Sequence, residues 1–184
     1  TAVSFHAYAH LADKYALLPH GASMGDNYGP IVVAKTGGPA AVKGRRIAIP
    51  GTLTTAFLTL RLAMGDFRYR ELAFEQIPDE VASGRAAVGL LIHEGQLTYQ
   101  DEGLRKIVDL GEWWLGDTGL PLPMGGNAVR RDLGPVLMKA CSDGFRASIQ
   151  AAFAHEDEAI RYALQFGRGL DTAQGKKFVH MYVN

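Results

Sequence analysis

Ile47-Ala48-Ile49-Pro50-Gly51-Thr52-Leu53-Thr54-Thr55-Ala56-Phe57-Leu58-Thr59-Leu60-Arg61-Leu62-Ala63-Met64-Gly65 is the stretch that decides the fold class. Ile47 to Ile49 is short and wholly apolar, as a strand covered on both faces must be. Pro50-Gly51 breaks it. Thr54-Thr55 then opens a segment of helical length, because a threonine oxygen can accept from the orphan N–H groups of a first helical turn. Gly65 supplies the stop. Strand, tight turn, capped helix and glycine stop together make half of a βαβ unit.

The same grammar extends to both sides. Upstream, Ala2-Val3 reads as a strand end, and Ser4 caps a short helix over Phe5 to Leu11. Tyr15 to Leu18 is a short strand closed by Pro19, His20 to Gly29 a glycine-rich loop, and Gly29 to Ala34 a buried strand. Downstream, Phe67 to Arg70 alternates like a strand, Ile77 to Ser83 is a helix stopped by Gly84, and Ala86 to Ile92 is a buried strand ending at His93. Strands alternating with helices imply an α/β fold with mostly parallel sheet. Gly119 to Gly126 is so rich in proline and glycine that it reads as an irregular crossing between lobes. Asp132 and Pro135 announce a helix whose apolar face is Leu137, Cys141, Phe145, Ile149 and Phe153, and Glu156 to Phe166 and Asp171 to Val183 read as two more.

Composition narrows the function classes. A chain of 184 residues with 47% hydrophobic content can bury roughly 70% of the surface its unfolded form exposes. Lysine plus arginine equals aspartate plus glutamate at 19 each, so no net field gathers polyanions, and nucleic acid is not an expected partner. No apolar run approaches the roughly 20 residues of a membrane span. The one cysteine, Cys141, cannot form an internal disulfide, which points to a reducing, cytoplasmic setting. The chain opens at Thr1 without a methionine and stops in a helix-like segment, so both ends read as cut or disordered.

Ligands of open α/β sheets bind beyond the carboxyl ends of strands, where helix N-termini present N–H groups. Three junctions have that form: Ser4 after Ala2-Val3, Thr54-Thr55 after Ile49, and His93 after Ile92. Two hydroxyl-bearing helix starts suit a carboxylate. An imidazole, whose ordinary pKa is about 6.5, suits proton transfer near neutrality. Ser4, Thr54 and Thr55 also read as plain helix caps, and His93 as a structural histidine at a strand end. Cys141 reads as a core residue of its helix. His6 and His10 stand at helical spacing but lack a diagnostic third ligand, so no metal is expected. Trp113 and Trp114 read as lobe packing, and neither Gly37-Gly38-Pro39 nor the Gly21 to Gly29 loop ends as a phosphate loop does.

Seven segments in order resemble the 1,4-dihydroxy-6-naphthoate synthase family: Gly29 to Ala34; Pro50 to Ala56; Gly89 to Glu94 with Leu97 to Tyr99; Val108 to Trp114; Thr118 to Pro123; Arg130 to Gly134; and Tyr182 to Asn184. The resemblance runs from Ser4 to Asn184. It implies a two-lobed fold like a type II periplasmic binding protein, incomplete at both ends. One lobe would hold 1–34 and 127–184, and the other 35–126, with the crossing near 119–126. It further implies a lyase of the futalosine route to menaquinone that converts cyclic dehypoxanthine futalosine to dihydroxynaphthoate without metal or organic cofactor. Carried over by residue, Ala2, Val3, Ser4, Thr54 and Thr55 would bind a small carboxylate substrate in an interlobe cleft, and His93 would be the general base. The related chorismate dehydratase and the solute-binding proteins of transporters share the architecture, so fold alone does not separate the three.

Overall fold

A computed structural model describes residues 1–38, 42–167 and 170–182. Pro39 of the glycine-proline stretch, Val183 at the end of the expected last helix, and Asn184 of the Tyr182 to Asn184 segment lie outside the described residues. The chain divides into two compact units: Thr1–Met24 with Pro123–Asn184, and Gly25–Leu122.

The second unit is built on strands β4 (Ile31–Ala34), β5 (Arg46–Ile49), β6 (Arg68–Glu71), β7 (Val88–Leu91) and β8 (Arg105–Asp109), ordered β6-β5-β7-β4-β8. β5 pairs in parallel with β6 and β7, whereas β4 runs antiparallel to β7 and β8. Four strands therefore point one way, with β4 reversed among them. Every residue of β4 and β7 is buried, which explains their unbroken apolar runs. Side chains alternate across the sheet. Val32, Ile47, Ile49, Val88 and Leu90 pack on one face with Phe57 and Leu60 of α2 (Thr55–Met64) and Leu110 of α5 (Leu110–Thr118). Ile31, Val33, Ala48 and Leu91 pack on the other with Ile77 and Val81 of α3 (Ile77–Ala82). Gly89 lets α3 approach: a Cβ there would meet Ile77 Cγ2 at 2.6 Å and Val81 Cγ2 at 2.8 Å. The remaining helix of this unit, α4, is the single turn Gly95–Thr98.

In the first unit β1 (Ala2–Ser4) and β2 (Tyr15–Leu17) pair antiparallel with β9 (Leu122–Arg130) in the order β1-β9-β2, and the short β3 (Ser23–Gly25) also pairs with β9. The helices are α1 (Phe5–Ala9), α6 (Gly134–Ala154), α7 (Glu156–Ala163) and α8 (Thr172–Tyr182). Among the described residues no helix is long and apolar enough to cross a membrane.

Four expectations are corrected here. The dividing points fall after Met24 and Leu122, not near 34 and 127, because β4 hydrogen-bonds to β7 and β8 and so belongs to the second unit's sheet. The Pro-Gly crossing is not irregular: Leu122 to Arg130 is the longest strand of the molecule as described, with Gly125 and Gly126 inside it. Those glycines allow close approach, since a Cβ on Gly125 would stand 3.2 Å from the Val3 carbonyl oxygen. The parallel expectation fails for the first unit, whose β1 and β2 ladders are antiparallel. Finally, Cys141 is exposed, as are Leu137 and Phe153. A strict four-residue spacing drifts about 40° per step round a helix of 3.6 residues per turn. The half-buried stripe is instead Met138, Ser142, Phe145 and Ile149.

Candidate active site

Strand direction alone gathers the candidate residues of the second unit. Ile31 at the start of β4 pairs with both Leu91, at the end of β7, and Asp109, at the end of β8. β5 and β6 run parallel to β7, so the carboxyl ends of four strands share one edge of the sheet. Each strand delivers different chemistry to that edge: β5 leads to Thr54 and Thr55, β6 to Phe74, β7 to His93, and β8 to Asp109 and α5.

Thr54 holds the turn that leads into α2. Its hydroxyl donates to the Gly51 carbonyl at 2.8 Å, and its Oγ1 accepts from the Phe57 N–H at 3.1 Å. Gly51, at φ 135°, adopts backbone closed to other residues, which is why the Pro-Gly pair makes the turn. Thr55 is the first residue of α2 and is buried. The cap spends the Thr54 proton on Gly51 and one lone pair on Phe57, so a carboxylate at this helix start could meet the Thr55 hydroxyl and backbone N–H groups, or draw the Thr54 proton away from Gly51.

His93 is exposed, and its φ of 55° places it in the left-handed region. Only a small share of non-glycine residues sit there, and such backbone clusters at functional sites. Its carbonyl accepts from Gln96 N–H at 3.2 Å, starting the turn that becomes α4. The Phe74 ring lies against the imidazole with centroids 4.8 Å apart and planes inclined by 53°.

Asp109 closes the α5 end of this edge. Its Oδ1 accepts from Gly111 N–H at 2.9 Å and Glu112 N–H at 3.3 Å. Burial pushes this carboxyl above its ordinary value, against the pull of those two N–H groups and of Lys106. The α5 start lies directly on the Tyr28-Gly29 backbone: a Cβ at Gly111 would fall 2.0 Å from the Tyr28 carbonyl oxygen. Trp113 and Trp114 stand half-buried on the same helix with ring centroids 6.4 Å apart.

Ala2, Val3 and Ser4 belong to the first unit. β1 runs beside Gly125 to Asn127, and Ser4 Oγ accepts from Ala7 N–H at 3.0 Å, so the cap read from sequence is made. His6 and His10 have ring centroids 5.8 Å apart, and among the described residues no group of three or more His, Cys, Asp or Glu is placed to hold a metal. Thr54, Thr55 and His93 are thus brought to one sheet edge, whereas the Ala2 to Ser4 segment stands in the other unit. Phe74 and Asp109 escaped the sequence reading. An aspartate just ahead of a helical segment is a cap signal that could have found Asp109. Nothing local marks Phe74.

Comparison with known proteins agrees with this architecture. A profile described as menaquinone biosynthesis matches residues 1–184. A 1,4-dihydroxy-6-naphthoate synthase of Thermus thermophilus is 42% identical over 100% of this chain and 67% of its own length. One from Streptomyces coelicolor is 34% identical over 99% and 66%. The chain thus spans about two thirds of the length of these relatives. A crystal structure of an Archaeoglobus fulgidus protein, 49% identical, superposes with a TM-score of 0.95 over 100% of this chain and 69% of that one. The alkanesulfonate-binding protein of Xanthomonas axonopodis shares the fold at 18% identity, with a TM-score of 0.59 over 96% and 63%. The fold is therefore that of the periplasmic binding proteins, and the chain belongs to the menaquinone biosynthesis family.

Proposed function

We propose that this protein is a carbon-carbon lyase that converts cyclic dehypoxanthine futalosine to 1,4-dihydroxy-6-naphthoate in the futalosine route to menaquinone. The two relatives named as 1,4-dihydroxy-6-naphthoate synthases support this reading over a dehydratase or a transporter's binding protein. The observation that carries the mechanism is the shared sheet edge, where a threonine-capped helix start and an exposed imidazole on left-handed backbone stand at the ends of adjacent strands β5 and β7.

In this mechanism His93 removes a proton from the cyclised substrate. Carbon-carbon cleavage then releases the ribose-derived fragment, and aromatisation of the bicycle makes the step downhill. Thr54 and Thr55 hold the substrate carboxylate at the start of α2, where N–H groups and the positive end of the helix dipole favour an anion. Ala2, Val3 and Ser4 are assigned to substrate binding on the resemblance of their segment. No resident metal or organic cofactor enters the scheme. The exposed, single Cys141 is compatible with the cytoplasm, which is where we place the reaction.

His93→Ala tests the assignment. General base catalysis is worth about 10²–10⁴-fold, so turnover of cyclic dehypoxanthine futalosine should fall by that factor, while Thr54→Ala or Thr55→Ala should chiefly raise KM. Undiminished turnover by His93→Ala would remove the base from the scheme.

A further inference from the structure

We infer that Phe74 is a positioning residue that fixes the imidazole of His93 for proton abstraction; this rests on the reading of His93 as general base. Phe74 comes after β6 and His93 after β7, and these strands are not neighbours, because β5 lies between them. Strands two apart in a sheet are separated by about 10 Å. The ring centroids are nonetheless 4.8 Å apart. The connection closes the gap: Phe74–Gln76 runs straight into α3, whose Ile77 and Val81 stand against Gly89 of β7, so the chain carries Phe74 past β5 toward the strand that ends at His93.

Both sides of the contact are anchored by backbone. Phe74 opens a 3-10 turn, Phe74–Gln76, closed by Gln76 N–H donating to the Ala73 carbonyl at 2.9 Å, and the next residue, Ile77, is wholly buried under the sheet. His93 leaves β7 on left-handed backbone at φ 55°, which sets the direction of its Cα–Cβ bond away from the strand course. An exposed imidazole on that bond could still populate several staggered rotamers. A tilted aromatic face restricts them without adding a polar group that would compete for the substrate's proton. A base that must meet one particular proton of the substrate depends on such restriction, because misplacement by 1 Å can cost about a hundredfold in rate.

The test combines steady-state kinetics on cyclic dehypoxanthine futalosine with NMR of the His93 ring protons, on the full chain and its Phe74→Leu, Phe74→Tyr and His93→Ala variants. Phe74→Leu should lower kcat roughly 10- to 100-fold with KM within about twofold. Phe74→Tyr, which keeps the ring, should retain kcat. In the parent protein and Phe74→Tyr the His93 ring protons should carry a ring-current shift that Phe74→Leu abolishes. Phe74→Met, similar in volume, replaces the leucine variant should that one fold poorly. The inference is overturned by undiminished kcat in Phe74→Leu, by equal loss in the leucine and tyrosine variants, or by His93 shifts that do not respond to position 74. A His93→Ala loss beside a normal Phe74→Leu removes the positioning role and leaves the base, whereas undiminished His93→Ala turnover removes the base itself.

Discussion

The second unit, Gly25–Leu122, and the first, Thr1–Met24 with Pro123–Asn184, are held together differently. The second has strands buried on both faces by α2 and α5 on one side and α3 on the other. In the first, the only buried hydrophobic residues, among those described, are Ala128, Val129 and Ile160. Its long helix α6 has no buried residue, and Val136 and Leu137 on it are 80% and 54% exposed. Its last two helices are joined by charge, with Glu156 of α7 paired to Lys176 and His180 of α8. The difference teaches where precision comes from. Thr54, Thr55, Phe74 and His93 all extend from the unit whose strands cannot shift without opening a packed core.

If that contrast is real, equal deletions should have unequal effects. Leu90 is fully buried between Phe57, Leu60 and the neighbouring strands' side chains, and Leu→Ala at such a position costs about 2–5 kcal/mol through lost transfer energy and the cavity left behind. Leu137→Ala removes the same atoms from an exposed helix face and should change stability by no more than about 0.5 kcal/mol. Urea unfolding of the two variants beside the parent measures both. Similar losses at the two positions would break the comparison.

The same contrast sets what could be read in the sequence. The βα grammar around Ile47 to Gly65 was legible because its signals are local: apolar strand, Pro-Gly turn, threonine cap, glycine stop. The placement of Thr54 and His93 at one edge came from strand direction, which is a topological consequence of that grammar. β9 was hidden because Gly125 and Gly126 join a strand only through what lies opposite them, Ser4 and Val3, some 120 residues away. The α6 stripe was misread because four-residue spacing imitates helical periodicity over two turns and departs from it over five. Phe74 was invisible for a third reason: its meeting with His93 depends on how far the connection into α3 carries it toward β7, and no pattern along the chain encodes that distance.

A smaller effect separates two functions of one side chain in the second unit. Asp109 caps α5 through Gly111 and Glu112, but its carboxyl is raised by burial. A raised carboxylate pKa means the ionised form is disfavoured in the fold, so this cost is present above the folded pKa and is relieved as pH falls through it. Asp109→Ala should destabilise by about 1–2 kcal/mol because the cap is lost. Asp109→Asn keeps an acceptor and discards the buried charge, so it should match or exceed the parent at neutral pH and lose that advantage in acid. Thermal unfolding of the three proteins at pH 7 and pH 5 compares the terms, and an asparagine variant as weak as the alanine variant would show that charge, not capping geometry, holds α5.

The smallest expected effect lies in the first unit, and its pH dependence has the opposite sign. The Lys176 ammonium, and after it His180, hold the Glu156 carboxyl below the ordinary glutamate value. A depressed carboxylate pKa contributes stability that is fully present above the unfolded value, about 4.3, and is lost as pH falls through the lower folded value. Because Lys176 and His180 are about half exposed, water and salt screen the cluster, and Glu156→Gln should lower the melting temperature by no more than about 2 °C at neutral pH. The parent's advantage over Glu156→Gln should shrink on acidification below about pH 4 and on raising salt toward 1 M, where the screening length is about 3 Å. Asp109 relaxes with acid while Glu156 weakens, so melting the Asp109→Asn and Glu156→Gln variants across one pH series separates a unit stabilised by its core from one that leans on charge. Parallel pH profiles for the two variants would mean that both units depend on the same balance.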